Sequence, residues 1–158
     1  MGKLERELKK QHGFQSHQQE VVVGLLRTHD RIHYRQAKFF RDYGLTQPQY
    51  NILRILRGEG KPLPVLEVAD RMITAVPGIT RLIDKLEKRS LIFRKRDGKD
   101  RRVWNVTITK TGLKLLSELD EPAHQLERDL CRGLSKLECL QLSVLLEKIR
   151  AGLAKIDS

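Results

Sequence analysis

The chain has 158 residues, 39% of them hydrophobic, which is enough for one domain with a buried core and too apolar for general disorder. Its 31 Lys and Arg against 20 Asp and Glu give a net charge of +11, which favours an anionic partner such as nucleic acid. Two cysteines exclude a disulfide scaffold, and the longest apolar run, 21–26, is too short to span a membrane. Because the N-terminus mixes charges and has no apolar leader, we expect a soluble, cytoplasmic protein with no membrane partner.

Residues 1–17 are polar and charged, and we expect a flexible N-terminal arm with room for a short helix. Apolar positions then recur at helical spacing over 18–43, which predicts one long amphipathic helix that stops at Gly44. The run Thr46-Gln47-Pro48-Gln49 predicts the start of a short helix, with an N-cap, a proline in the first turn and a capping box.

Two further short helices are predicted over 63–72, with Leu66 and Val68 facing a core, and over 77–89. Residues 91–93 and the alternating stretch 103–108 then predict two strands joined by a long charged loop, 94–102. A helix capped by Thr109 and broken or bent near Pro122 follows, and a last helix opens with the box Ser135 to Glu138.

These elements predict a mainly α fold with a small β-hairpin wing, the arrangement of a winged helix-turn-helix. The helix over 77–89 would bury its apolar face and offer the opposite face, with Gly78, Arg81, Lys85 and Lys88, to a partner. Pro77 and Gly78 stand at its entry. Small residues at its start allow close approach to a major groove, where Thr80 and Arg81 could reach base edges or phosphates. A solvated amphipathic helix would show the same pattern, so this segment alone leaves both interpretations open.

The predicted hairpin tip, 94–102, holds six basic and two acidic residues. So dense a cluster of like charge is unfavourable unless an anion neutralises it. Arginine suits the narrow minor groove of DNA, where the negative potential is deepest. Beside a helix with a basic face, the tip therefore favours binding to double-stranded DNA over a solvated turn. Its candidate residues are Arg94, Arg96, Lys99, Asp100, Arg101 and Arg102.

Three motifs in order resemble the MarR (multiple-antibiotic-resistance regulator) family of bacterial transcription factors. Leu-Thr-Gln-Pro-Gln-Tyr at 45–50 is similar to the L-T-x-x-Q that opens the family's DNA-binding lobe, and 77–87 is similar to its recognition helix. Asp-Arg-Arg at 100–102, followed by 107–112, resembles the family's wing D-x-R and the L-T-x-x-G after it. The ordered set covers about residues 20–155.

The resemblance implies a homodimer in which 18–43 and 113–158 form the helical dimerisation region and 44–112 the winged helix-turn-helix DNA-binding lobe. It implies a transcriptional regulator, most often a repressor in this family, that binds pseudo-palindromic operators and is released by a small-molecule effector. A two-fold dimer would read half-sites about 34–36 Å apart.

The same resemblance assigns roles to single residues. Asp100 would orient Arg102 into the minor groove, while Thr80 and Arg81 enter the major groove. Two residues depart from the family pattern. Trp104 is large for its place on the second strand of the wing, and Ser90 stands where glycine is usual, just after the recognition helix. A serine in a left-handed helix cap would cost about 1 kcal/mol.

The resemblance further implies a cleft for a small aromatic or lipophilic effector, lined by the first long helix, and we place His29, His33 and Phe40 there. His29 and His33 are four residues apart and share a helical face. They could instead hold a metal ion or pack at an interface. Because no second histidine pair has matching spacing, we predict no metal site.

Cys131 and Cys139 lie in leucine-rich surroundings, where free cysteine usually packs as a small apolar residue. Cys131, flanked by Arg128 and Arg132, is the better candidate for a reactive thiol. The sequence has no phosphate-binding loop, metalloprotease helix or glycine-flanked nucleophile, so we predict no enzyme and no cofactor. The alternative function is a sequence-nonspecific architectural or RNA-binding protein that uses the same basic surface.

Overall fold

The structure, a computed structural model, describes residues 2–156. It is mainly helical with one small antiparallel sheet, which confirms the predicted fold class. The chain divides after Leu113 into two units, and this boundary falls inside α6. In chain order the elements are α1 (Lys3–Glu7), α2 (His17–Asp42), α3 (Gln47–Glu59), β1 (Leu63–Pro64), α4 (Val65–Asp70), α5 (Ile79–Lys88), β2 (Ile92–Arg96), β3 (Trp104–Ile108), α6 (Lys110–Cys131) and α7 (Lys136–Ala154).

The core of the first unit lies between α3, α4, α5 and the sheet. Aliphatic side chains at helical spacing on α3 and α5 meet the inward-facing residues of the strands. Burying each such side chain contributes about 1.5–3 kcal/mol, so this core holds α5 firmly against the sheet. Its fully buried members are Ile52, Leu53, Leu56, Val68, Ile83, Leu86, Ile92 and Val106.

The predicted helix over 63–72 is wrong at its start, because Leu63–Pro64 form a third strand, β1. Leu63 pairs with Val106 of β3 and is buried there. Pro64 is tolerated because β1 is an edge strand, where a residue without an N–H leaves no ladder partner unpaired. Helix α4 therefore begins only at Val65, and Leu66, which was expected to face the core, is 76% exposed.

The helix expected from Pro77 begins at Ile79, because Gly78 has a left-handed φ of 78° and acts as the N-cap of α5. The charged loop is also shorter than expected. Residues 94–96 belong to β2, where Arg94 pairs with Val106 and Arg96 with Trp104. The loop proper is 97–103 and is closed by a hydrogen bond from the Asp97 N–H to the Val103 carbonyl, 2.9 Å.

The predicted helix caps are confirmed. The Thr46 hydroxyl accepts from the Gln49 N–H and the Gln49 side chain accepts from the Thr46 N–H, and Ser135 and Glu138 repeat the arrangement. The Thr109 hydroxyl accepts from the Gly112 N–H at 3.1 Å. Such caps satisfy backbone donors that the first turn of a helix leaves without partners.

Helix α6 is continuous from Lys110 to Cys131 with Pro122 inside it, so of the two predicted outcomes, a break or a bend, the break is wrong. The proline removes one backbone hydrogen bond, but Leu116, Leu119 and Ala123 are buried on either side of it, and their burial stabilises the uninterrupted helix. Within residues 2–156, no helix is both long and apolar enough to cross a membrane.

Candidate nucleic-acid interface

Helix α5 presents a polar face next to its buried one. Ile83 and Leu86 are fully buried, whereas Thr80, Arg81 and Lys85 are exposed. Pro77 and Gly78 are exposed just before the helix. The five residues predicted to contact DNA are thus all exposed: Pro77, Gly78, Thr80 and Arg81 lie at the start of α5, where free N–H groups favour an anion, and Lys85 lies in its last turn.

The turn before α5 is held by a residue that the sequence analysis missed. The Asn51 side chain on α3 is buried and accepts a hydrogen bond from the Ile73 N–H at 2.9 Å. At the start of the same turn, Arg71 pairs with Glu59 of α3 at 2.6 Å. Because these contacts join residues far apart in the chain, no local motif predicts them. The one signal for Asn51 in the sequence was its polar side chain at a position of α3 that faces the core.

The loop of the wing (β2, β3 and the loop 97–103) is organised around Asp97. Its carboxylate accepts from the backbone N–H groups of Asp100 at 3.0 Å and Lys99 at 2.8 Å, and from the Asn105 amide at 3.0 Å. These hydrogen bonds, that from the Asp100 N–H first, lower the pKa of Asp97 because they stabilise its charged form. The carboxylate gives the basic loop a fixed shape.

Asp100 and Arg102 form an ion pair at the tip of the wing. Two guanidinium nitrogens of Arg102, Nε and Nη2, each donate to the Asp100 carboxylate at 3.2 Å, and the Arg102 backbone N–H donates to it at 3.0 Å. The Arg102 side chain lowers the pKa of Asp100, and the Arg102 backbone N–H adds to this. The Arg102 side chain is nonetheless 92% exposed, so its guanidinium is both oriented and open to a partner.

The other cations of the tip differ in their surroundings. Lys99 and Arg101 are exposed. Arg96 donates to the Arg101 carbonyl at 3.0 Å and lies over the Trp104 ring at 5.0 Å. Arg94 instead points toward α5, where it pairs with Asp84 and Glu87, so the structure does not bring it together with the exposed cations of the loop.

The three residues predicted for an effector pocket are not brought together either. His29 and His33 are exposed on α2 with their rings stacked 6.1 Å apart. Phe40 is a core residue, 3% exposed, whose ring packs on Tyr50 at 4.4 Å. No group of three potential metal ligands occurs in the described part of the chain.

Cys131 ends α6 and is exposed, while Cys139 on α7 is half-buried. Packing in a core, which the sequence analysis favoured for both cysteines, therefore does not describe Cys131 in the single chain.

A helix with an exposed polar face and an open N-terminus, beside a hairpin with a basic loop, defines a winged helix-turn-helix DNA-binding protein. The MarR family profile matches residues 45–104, the segment from the start of α3 to the second strand of the wing. The chain belongs to this family. Members are DNA-binding transcription factors and not enzymes, so this chain is a DNA-binding transcriptional regulator.

Three relatives illustrate the similarity. The transcriptional regulator MhqR of Bacillus subtilis is 31% identical over 70% of this chain and 74% of its own length. A MarR transcription factor from Planctomyces limnophilus is 39% identical, with a TM-score of 0.68 over 85% of this chain and 98% of that one. BpsR of Bordetella bronchiseptica, whose DNA binding is regulated by 6-hydroxynicotinic acid, is 28% identical, with a TM-score of 0.74 over 83% and 98%.

Proposed function

We propose that the chain acts in the cytoplasm as a homodimeric repressor that binds pseudo-palindromic operators and is released by a small-molecule effector. Recognition helix α5 enters the major groove with Pro77, Gly78, Thr80, Arg81 and Lys85. The wing enters the adjacent minor groove with Arg102, which Asp100 orients, supported by Arg96, Lys99 and Arg101. This division follows the different shapes and potentials of the two grooves.

The observation that carries the proposal is the exposed, oriented Arg102 on the same unit as the open face of α5. A guanidinium held in place before binding loses less conformational entropy when it inserts into a groove. Arginine also enters a narrow minor groove with a small loss of hydration. A wing that served only as a solvated turn would gain nothing from this geometry.

The dimer rests on helices that a single chain leaves open. Of the described residues of α7, Lys136–Ala154, none is buried, although many are leucines. On α2, Val22 and Leu26 are more than half exposed. A second copy would cover such apolar faces, and a two-fold dimer would place two α5 helices about one DNA turn apart.

The proposed release from DNA by an effector rests on the similarity to BpsR, a regulator of the same family whose DNA binding is regulated by 6-hydroxynicotinic acid. His29 and His33 stay our candidate contacts for a small aromatic or lipophilic effector, because both are exposed. Phe40 would take part only if its ring moved away from Tyr50.

Fluorescence anisotropy with the DNA upstream of the chain's own gene and of its neighbours, and with a scrambled duplex, tests the proposal at two salt concentrations. We expect tight binding to one segment and weaker, salt-sensitive binding to the scramble, since phosphate contacts release counterions. Equal affinity for both duplexes would contradict a specific regulator and favour the architectural alternative.

A further inference from the structure

We infer that Arg94 is a positioning residue that fixes the wing to the recognition helix, and not a DNA contact. The sequence groups it with the cations of the wing, but its surroundings differ. Its side chain is 25% exposed, against 92% for Arg102, and it lies on the face of β2 that is turned toward α5. The positioning role itself does not depend on the proposed function; only the predicted effect on DNA binding rests on it.

Arg94 joins the two elements through its three guanidinium nitrogens and its backbone N–H. Its Nη1 pairs with Asp84 Oδ1 at 2.7 Å, and its Nε and Nη2 donate to Glu87 Oε2 at 2.9 and 2.6 Å. Its backbone N–H, on the free edge of β2, donates to Glu87 Oε1 at 2.8 Å. Asp84 and Glu87 are three residues apart on α5 and therefore face the strand together.

This arrangement leaves Arg94 without charge to offer to a phosphate. Two carboxylates pair with one guanidinium, so the side chains of Arg94, Asp84 and Glu87 together carry one net negative charge. The Arg94 side chain lowers the pKa of Glu87, while Glu87 first and Asp84 next raise the pKa of Arg94. These shifts accord with a cation committed to the protein, which we call the Arg94 clamp (Arg94, Asp84 and Glu87).

The clamp connects the two surfaces that would meet DNA. Helix α5 and the wing must reach neighbouring grooves together, so their relative position determines whether both can bind one site. Lys95 and Phe93 project from the opposite face of β2 and make no such link, since alternate residues of a strand face opposite ways. Arg94 is thus the residue of the strand through which the helix can set the position of the wing.

Neutralising the two carboxylates distinguishes the positioning role of the clamp from its effect on net charge. The double variant Asp84→Asn with Glu87→Gln makes the first unit, which carries α5 and the wing, more positive by two charges. Charge alone would then strengthen binding to any duplex. If the clamp positions the wing, its loss should instead weaken operator binding about tenfold, which lies within the usual range of coupling between two sites. Binding to the scrambled duplex should be unchanged or stronger.

The matched control is Glu127→Gln with Asp129→Asn on α6, which changes the net charge equally without touching the clamp. Arg94→Gln should reproduce the loss for the operator and spare the scramble. Operator affinity that equals or exceeds wild type in the double variant would overturn the inference. Equal losses on both duplexes with Arg94→Gln would overturn it too, because they would mark a phosphate contact.

A second readout needs no DNA. Trp104 is the single tryptophan of the chain, and the Arg94 guanidinium lies 5.8 Å from its ring. In the double variant, which keeps Arg94, we expect stronger acrylamide quenching of Trp104 because the wing is released; unchanged quenching would overturn the clamp. If that variant does not fold, as judged by circular dichroism, the same quenching measurement on Glu87→Gln alone tests the clamp.

If wild type binds the operator and the scrambled duplex equally, the proposed function fails. The quenching measurement still tests whether Arg94 fixes the wing to α5.

Discussion

In the proposed function, the ion pair of Asp100 and Arg102 would act in DNA binding more than in folding. The pair is exposed, and exposed pairs contribute about 0–1 kcal/mol to stability. Its value lies in orientation, since hydrogen bonds from the Arg102 backbone N–H, Nε and Nη2 hold the guanidinium beside Asp100 while the side chain stays exposed to solvent. Loss of the pair should therefore weaken DNA binding with little effect on the fold.

Arg102→Ala should weaken operator binding by about tenfold or more while the dimer stays intact, because it removes a minor-groove contact. Arg101→Ala removes the same charge from the next residue and should cost less, since no carboxylate orients that side chain in the contacts described above. Anisotropy titrations of both variants make the comparison. Affinity unchanged by Arg102→Ala would refute the role of the wing.

Ser90 stores backbone strain at the end of α5. Its φ is 56°, so the left-handed conformation expected from the family pattern is present although the residue is not glycine. Ser90→Gly should raise the free energy of unfolding by about 0.5–1 kcal/mol, measured by denaturant titration. Ser90→Ala keeps the Cβ and should bring no gain; an equal gain for both variants would argue against strain as the cause.

At the scale of elements, the features that depend on residues close together in the chain were predicted correctly from the sequence. The boxes at Thr46 and Ser135 fixed two helix starts correctly because each involves residues only three apart. Strand β1 could not be predicted, since two residues carry no periodicity and Leu63 is placed by its partner Val106. The role of Arg94 was missed for the same reason: its charge is visible in the sequence, but its two partners on α5 are not.

Gly112 marks a close approach between two elements. A Cβ there would lie 2.3 Å from the Leu91 carbonyl oxygen, which already accepts from the Thr109 N–H. Gly112→Ala should destabilise the fold by about 1–3 kcal/mol through overpacking. Gly58→Ala is the matched control, because its Cβ meets nothing within 4 Å on α3 and should be neutral or stabilise by up to about 1 kcal/mol. Thermal unfolding of both variants measures this, and equal effects would contradict the packing argument.

At the scale of the whole molecule, charge and apolar surface have separate roles. The net charge of +11 attracts any nucleic acid, whereas specificity in the proposed dimer would require two lobes at a fixed spacing. On α7, a shallow apolar surface is lined by Leu140, Gln141, Val144 and Leu145. In the proposed dimer this surface sets the spacing, although it never meets DNA.

Leu145→Lys should therefore convert the dimer to a monomer, because it places a charge in an apolar interface, and operator affinity should fall as each lobe binds alone. Ser143→Lys introduces the same side chain two residues away, at a position already polar, and should leave the dimer intact. Size-exclusion chromatography with light scattering gives the mass of each. A dimeric Leu145→Lys variant would place the interface elsewhere.

Hydroxyl-radical footprinting of the operator with wild type and Arg102→Ala tests most directly whether two wings read two minor grooves. We predict two protected minor-groove patches related by the two-fold axis of the site, both lost with Arg102→Ala while the protein still binds at higher concentration. One asymmetric patch, or a footprint that Arg102→Ala leaves unchanged, would contradict a dimer whose wings enter the minor groove.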